Sequence, residues 1–327
     1  MELLNQLKRL WRALRGTPNS WPAIDLSLPG GRHLHLVGSI HMGTRDMAPL
    51  PAKLVKKLRQ ADALVVEADI SGNETPFSNL PKCPPLVERL SAGQLSALEK
   101  RVSELGMPLI HFDNQPLWQI AMVLQATQAQ RLGLRPDYGI DYQLLQAARE
   151  MSLPVQELEG AKHQLELLCD LPDGGMALLD DTLTHWHTNA RLLQVMIGWW
   201  LEQPPTSVGA SLPRTFSQPL YDVLMVKRNE AWRDALLALP PGRYVVAVGA
   251  LHLYGERQPT ANIEIKKWPI SLLARQRGIS SLLLSRRFRF GSSDCRSKLP
   301  QLPRPNAQDY TIFLVRFRAY ADGKSRL

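Results

Sequence analysis

Two stretches of this chain repeat one another. Leu36-Val37-Gly38-Ser39-Ile40-His41 and Ala247-Val248-Gly249-Ala250-Leu251-His252 are both apolar runs that end in Gly-x-x-His. Such short, unbroken apolar runs suit strands buried on both faces, as in a parallel sheet covered by helices. A third run, Ala63-Leu64-Val65-Val66, leads directly into Glu67, and Val155–Leu158 leads into Glu159. Residues 32–40, 50–60 and 63–67 read as strand, amphipathic helix and strand. That is a βαβ unit, and its crossover is expected to be right-handed. Strands are also expected over 153–158 and 243–251. Helices are expected over 96–105, 117–132, 141–151, 174–201 and around 218–239. The Trp186, Trp199 and Trp200 stripe reads as packing. The fold class is therefore α/β (mixed α+β): a central sheet of about four to six strands with strand-end GxxH motifs, flanked by many helices.

Charge divides the chain. The formal net charge of +9 belongs to its last part. Residues 1–255 carry 24 Lys and Arg against 25 Asp and Glu, whereas residues 256–327 carry 15 against 5. The body thus has no electrostatic footprint of a specific nucleic-acid binder. The division is residues 1–20 as an N-terminal amphipathic helix, 21–255 as the α/β domain, and 256–327 as a divergent, poorly ordered basic tail. The first segment carries Leu3, Leu7, Leu10, Trp11 and Leu14 at helical spacing, with Lys8, Arg9, Arg12 and Arg15 between them. It suits docking on its own domain or weak contact with an anionic membrane surface. Its charges interrupt any secretory signal core, so a cytoplasmic location is expected. No apolar run approaches the ~18–20 residues of a membrane span. Three cysteines without a CxxC spacing give no disulfide framework or Cys-based zinc site.

The strand ends carry the chemistry. In open α/β sheets, ligands bind outside the carboxyl ends of the strands. One rim would then present His41, His252, Glu67 and Glu159. Two imidazoles and a carboxylate around an open position suit a catalytic zinc or manganese ion, which activates a bound water. A strand-end histidine is also a common structural residue, and that alternative stays open on the pattern alone. The glycines are expected to relax the backbone as each chain leaves the sheet. His33 and His35 alternate on one strand and offer a rival cluster with His41. The chain lacks HExxH, GxSxG, P-loop and GxGxxG motifs.

The residues over 36–43 (LVGSIHMG), 63–69 (ALVVEAD), 138–144 (YGIDYQL), 154–164 (PVQELEGAKHQ), Arg228-Asn229 and 244–255 (YVVAVGALHLYG) resemble the TraB/PrgY/GumN family. That group includes the Tiki proteases and is distantly related to the erythromycin esterase clan. The likeness covers roughly residues 10–255 and is nearest to short proteobacterial members. It implies one site with His41, Glu67 and His252 at its core and Asp141, Glu159, Arg228 and Asn229 around it. By that likeness the chain is a hydrolase of peptide or amide bonds, dependent on a divalent ion (Zn, Mn or Co) held by His41, His252 and Glu67. Glu159 or Asp141 then acts as base or orienter, and Arg228 stabilises developing negative charge. The esterase relatives imply an alternative, a metal-independent His/Glu ester hydrolase. A further alternative is a non-catalytic module that binds a peptide or small molecule. The sequence after Gly255 departs from the family's pattern of a Gly-rich turn and a short helix.

Overall fold

The computed structural model describes residues 20–69, 82–205 and 212–254. The expected N-terminal helix and basic tail lie outside the described residues. In chain order the sheet strands and main helices are β1 (Ala23–Leu28), β2 (Arg32–Ser39), α1 (Ala52–Arg59), β3 (Ala63–Val66), α2 (Ala92–Glu104), α3 (Leu117–Arg131), α4 (Ile140–Glu150), β4 (Val155–Glu157), α5 (Ala161–Cys169), α6 (Met176–Thr184), α7 (Trp186–Leu201), α8 (Arg228–Ala238), β5 (Gly242–Gly249) and α9 (Ala250–Tyr254). The mixed α/β class is as expected. A π-helical segment, Asp222–Lys227, leads straight into α8. Among the described residues no helix is long and apolar enough to cross a membrane.

The strand order is β1-β2-β5-β3-β4. Only β1 runs antiparallel, as a hairpin partner of β2. The other neighbours are parallel. The βαβ unit of the sequence is present, but β5 is inserted between its two strands, so the two GxxH strands lie side by side. Their register pairs Gly38 with Val248 and Ser39 with Gly249. Val66 pairs with Ala247 in the same sheet. Hence β2, β5 and β3 end together, and His41, His252 and Glu67 leave one edge of the sheet.

The central strands owe their stability to two-sided burial. Ala63–Val66 is buried at every position, and Val245–Val248 likewise. At about 25 cal/mol per Å² of apolar surface, each such Val or Leu contributes roughly 1.5–3 kcal/mol. Helices α4 and α7 and the π-leading helix α8 contribute to this first core. A second core gathers α2, α3 and α6. Trp186, Trp199 and Trp200 are buried, as expected of a packing stripe. Trp200 also donates from its indole to the Gly38 carbonyl at 3.0 Å.

Candidate functional site

The glycines of the two motifs work through close approach. Neither has a positive φ, which the expectation of a relaxed backbone would favour. A Cβ at Gly38 would stand 3.2 Å from the Tyr254 ring and 3.3 Å from the Ala250 backbone. Gly38 therefore lets α9 settle onto β2. A Cβ at Gly249 would touch Glu67 and His252, both at 3.4 Å. His252 consequently sits in the single turn of α9, rather than on a strand end.

The loop after β2 is held as closely. Gly43 exchanges backbone hydrogen bonds with Arg135, and the Ile140 N–H donates to the Ile40 carbonyl. A Cβ at Gly139 would lie 2.2 Å from the His41 carbonyl oxygen. This contact sets the start of α4 against His41. Asp141, in the first turn of α4, then meets His41 Nδ1 at 2.9 Å. The exits of β3 and β4 are stitched together too. The Glu67 carbonyl accepts from the N–H groups of Glu159 and Gly160, each at 3.0 Å. Gly160, at φ 83°, turns the chain from Glu159 into α5, a conformation that suits glycine. Glu67 and Glu159 thus stand beside each other.

Arg228 occupies the centre. Its Nε and Nη2 grip Glu159 as a fork at 2.8 and 3.0 Å, and Nη2 also donates to Glu67 Oε2 at 2.8 Å. Its Nη1 makes two longer contacts, at 3.3 Å, to the Leu224 carbonyl and to His252 Nε2. Glu67 Oε1 accepts the Gly249 N–H at 2.6 Å. The Glu159 carboxylate also accepts the Trp232 indole N–H at 2.7 Å. Glu159 thus holds Arg228 in place, an arrangement that suits the orienter of the two roles expected of it.

The two imidazoles have different partners. Burial pushes His41 down, but the charge and hydrogen bond of Asp141, with the Glu67 charge, overcome this and raise it to about 9. Its side chain remains 46% exposed, toward the cavity described below. His252 Nδ1 faces the Asn229 side-chain oxygen at 2.8 Å. The tautomer follows from this network: Nδ1–H donates to Asn229, and Nε2 offers its lone pair to the Arg228 cation. Burial, with the Arg228 and His41 charges, lowers His252 to about 3. Its ring rests on Trp232, with centroids 4.4 Å apart. Burial pushes the carboxyl of Glu67 up, but the surrounding imidazoles and guanidinium hold it below its ordinary value.

The expected metal ligands can be compared with this arrangement. A zinc-type ion needs donors aimed at one point ~2.0–2.2 Å away. Here Glu67 Oε2 and His252 Nε2 both face Arg228, and His41 Nδ1 faces Asp141. Among the described residues no group of three or more His, Cys, Asp or Glu is placed to hold an ion. A dication ~4 Å from a fixed guanidinium meets a repulsion of about 8 kcal/mol at an effective dielectric of about 20. The donor set as placed does not fit a metal ion. The rival cluster does not form either. His35 accepts from the Trp21 indole and meets Asp25, while His33 meets Ser27.

All seven residues drawn from the sequence fall in this one site. Two others went unnoticed, Trp232 and Gln164. Trp232 lies four residues after Arg228 on the same helix, a spacing that puts both on one face. Gln164 reaches Glu67 and Glu159, both at 3.3 Å, from the first turns of α5. A cavity of about 370 Å³ opens from this cluster between the two cores. Its polar end is His41, Glu67, Gln164, Arg228 and His252. Its walls come from α3, α5, α6 and α7 and from residues 215–225, and are mainly Leu, Met and Ala.

Two curated proteins share 66% identity with this chain over 256 residues, which cover 78% of it and 97% of each relative. Both carry the description "Uncharacterized protein YbaP", one from Escherichia coli strain K12 and the other from Shigella flexneri. No solved structure matches significantly. The family model "TraB/PrgY/gumN family" matches residues 25–268, a span that contains every side chain of the site. With both GxxH strands inside that match, the chain belongs to the TraB/PrgY/gumN family.

Proposed function

We propose that this protein is a metal-independent hydrolase of ester bonds that moves protons through two imidazoles held in opposite charge states. The observation that carries this reading is the pairing: His41 on the Asp141 carboxylate, His252 between the Asn229 amide and the Arg228 cation. Titratable pairs driven apart by their surroundings are a common basis for acid and base roles. Protonated His41 keeps Nδ1–H on Asp141 and offers Nε2–H as the acid. Neutral His252 offers Nε2 as the base once Arg228 Nη1, 3.3 Å from it, turns toward the substrate.

Water attacks the substrate carbonyl as His252 Nε2 takes one of its protons. The oxyanion so formed is stabilised by the His41 N–H and by the Arg228 charge; Nη1, with its long contacts, is the nitrogen most easily turned to it. The carbon–oxygen bond to the alcohol then breaks, and the alcohol leaves with the His41 proton. The proton held on His252 returns to His41, the acid product gives its remaining proton to solvent, and the carboxylate departs. The low basicity of His252 favours esters, with their better leaving groups, over peptide amides.

The test is hydrolysis of p-nitrophenyl esters by protein stripped with EDTA. Turnover is expected to persist, and to fall at least about 100-fold in His41→Ala and in His252→Ala while both remain folded. Turnover that vanishes on chelation and returns with about one equivalent of zinc, manganese or cobalt would replace this reading by the metal-dependent peptide or amide hydrolase. No turnover of any ester by the folded protein would leave a binding module.

A further inference from the structure

The cavity has two unlike ends. Beyond the polar cluster it runs among side chains such as Met122, Leu178, Leu192, Met196, Phe216 and Met225. Leu178, Leu192, Met196 and Met225 are buried parts of the cores on either side, so this lobe belongs to the folded interior. At about 30 Å³ per water-sized group, 370 Å³ holds roughly a dozen non-hydrogen atoms. That is the low end of small-molecule sites, which combine an apolar body with few convergent polar groups. A space of this size walled by helices suits a compact chain.

The charge at the polar end narrows the head group. Glu67, Glu159 and Asp141 face Arg228 and His41. With the proton on His41 this cluster sums to −1, and without it to −2. An anionic head, whether carboxylate or phosphate, meets a like charge. A neutral carbonyl meets N–H donors instead. The product of hydrolysis, a carboxylate, is repelled where its neutral parent was held, which favours its release.

Resting on the hydrolytic reading above, we infer that the substrate is a neutral medium-chain acyl ester, with its carbonyl at the His41–Arg228–His252 end and about six to ten acyl carbons in the apolar lobe. Each methylene buried there strengthens binding about fourfold. The whole gain falls in kcat/KM as the chain lengthens, until the lobe is full.

The experiment uses the full chain and p-nitrophenyl acetate, butyrate, octanoate and palmitate. In parallel, thermal unfolding is followed with 2-nonanone, a neutral carbonyl that cannot be hydrolysed, and with acetone and octanoate. The expected result is a kcat/KM for octanoate ester about 4,000-fold above that for acetate, with a decline at palmitate. 2-Nonanone should raise Tm, and acetone and octanoate should not. Met196→Trp, which fills the lobe, should lower the octanoate-to-acetate ratio. Equal kcat/KM values across the series without stabilisation by 2-nonanone would overturn the inference and leave hydrolysis standing. No ester turnover with clear stabilisation by 2-nonanone would overturn hydrolysis and keep the ligand class. Neither turnover nor stabilisation would overturn both.

Discussion

Replacing Asp141 by Asn tests the pairing on which the chemistry depends. Asn has nearly the same shape, and its amide oxygen still accepts from His41 Nδ1–H across the 2.9 Å contact. The negative charge is gone. Burial is the largest influence on His41 and pushes it down, so without the carboxylate its pKa should fall from about 9 to 6.5 or below. At pH 8 the wild-type ring is about nine-tenths protonated, whereas a ring of pKa 6.5 is about 3% protonated. The variant should therefore lose roughly 30-fold in ester turnover at pH 8 and only a few-fold near pH 5.5. In the pH–rate profile the alkaline limb should move from about 9 to 6.5 or lower.

The same substitution should change stability with a defined sign. The folded protein holds the His41 proton more tightly than the unfolded chain. This contribution is complete below pH 6.5 and is lost as pH rises through about 9. The lowered pKa of Asp141 makes its own contribution fade in acid, below the ordinary carboxylate range. The difference between 6.5 and 9 corresponds to about 3 kcal/mol, but His41 is 46% exposed, and solvent screening reduces this to roughly 1–2 kcal/mol. Asp141→Asn should thus lower Tm by about 2–8 °C at pH 6 and by much less at pH 10. An alkaline limb that stays near 9, or a Tm loss equal at both pH values, would show that Asp141 does not hold the His41 proton.

Three further substitutions probe the supports of the site. Gly139→Ala forces a Cβ into the His41 carbonyl, so it should destabilise by about 1–3 kcal/mol and reduce turnover, measured by urea unfolding and ester hydrolysis. Arg228→Met leaves Glu67 and Glu159 buried without their cation, which should cost about 3–5 kcal/mol in the same unfolding assay. Asn229→Leu removes the acceptor that fixes the His252 tautomer, so kcat should fall while the fold, followed by circular dichroism, is retained.

The sequence showed the edge of the sheet better than its interior pattern. Apolar runs ending in His or Glu locate strand ends because a parallel, doubly covered strand is mostly apolar until it leaves the sheet. For the same reason His41, Glu67, Glu159 and His252 were visible as members of one rim. The adjacency of β2 and β5 was not legible, since pairing between strands some 200 residues apart leaves no local trace. β1 lies outside the expected strands, although Ile24, Leu26 and Leu28 alternate with Asp25 and Ser27 before Pro29-Gly30-Gly31. That is a hairpin signal in period two and turn chemistry. α2 starts at Ala92, ahead of the expected 96, where the Ser91–Gln94 capping box sets its first turn.

The chemistry of the site was the least legible part. Residue types at strand ends suggest a metal as readily as a proton relay. The choice turns on which acids share Arg228, and a cation arriving from α8 is not announced by any spacing to Glu67 or Glu159. The cavity was hidden for a similar reason, because its walls come from separate helices and the sheet edge.

The opposite charge states of the two imidazoles are read directly by an NMR titration of the His41 and His252 rings in the folded, metal-free protein. One ring, lost in His41→Ala, should titrate near pH 9, and the other, lost in His252→Ala, should stay neutral down to about pH 4. Two rings that both titrate near 6.5, or that shift together when one equivalent of zinc is added, would contradict these charge states.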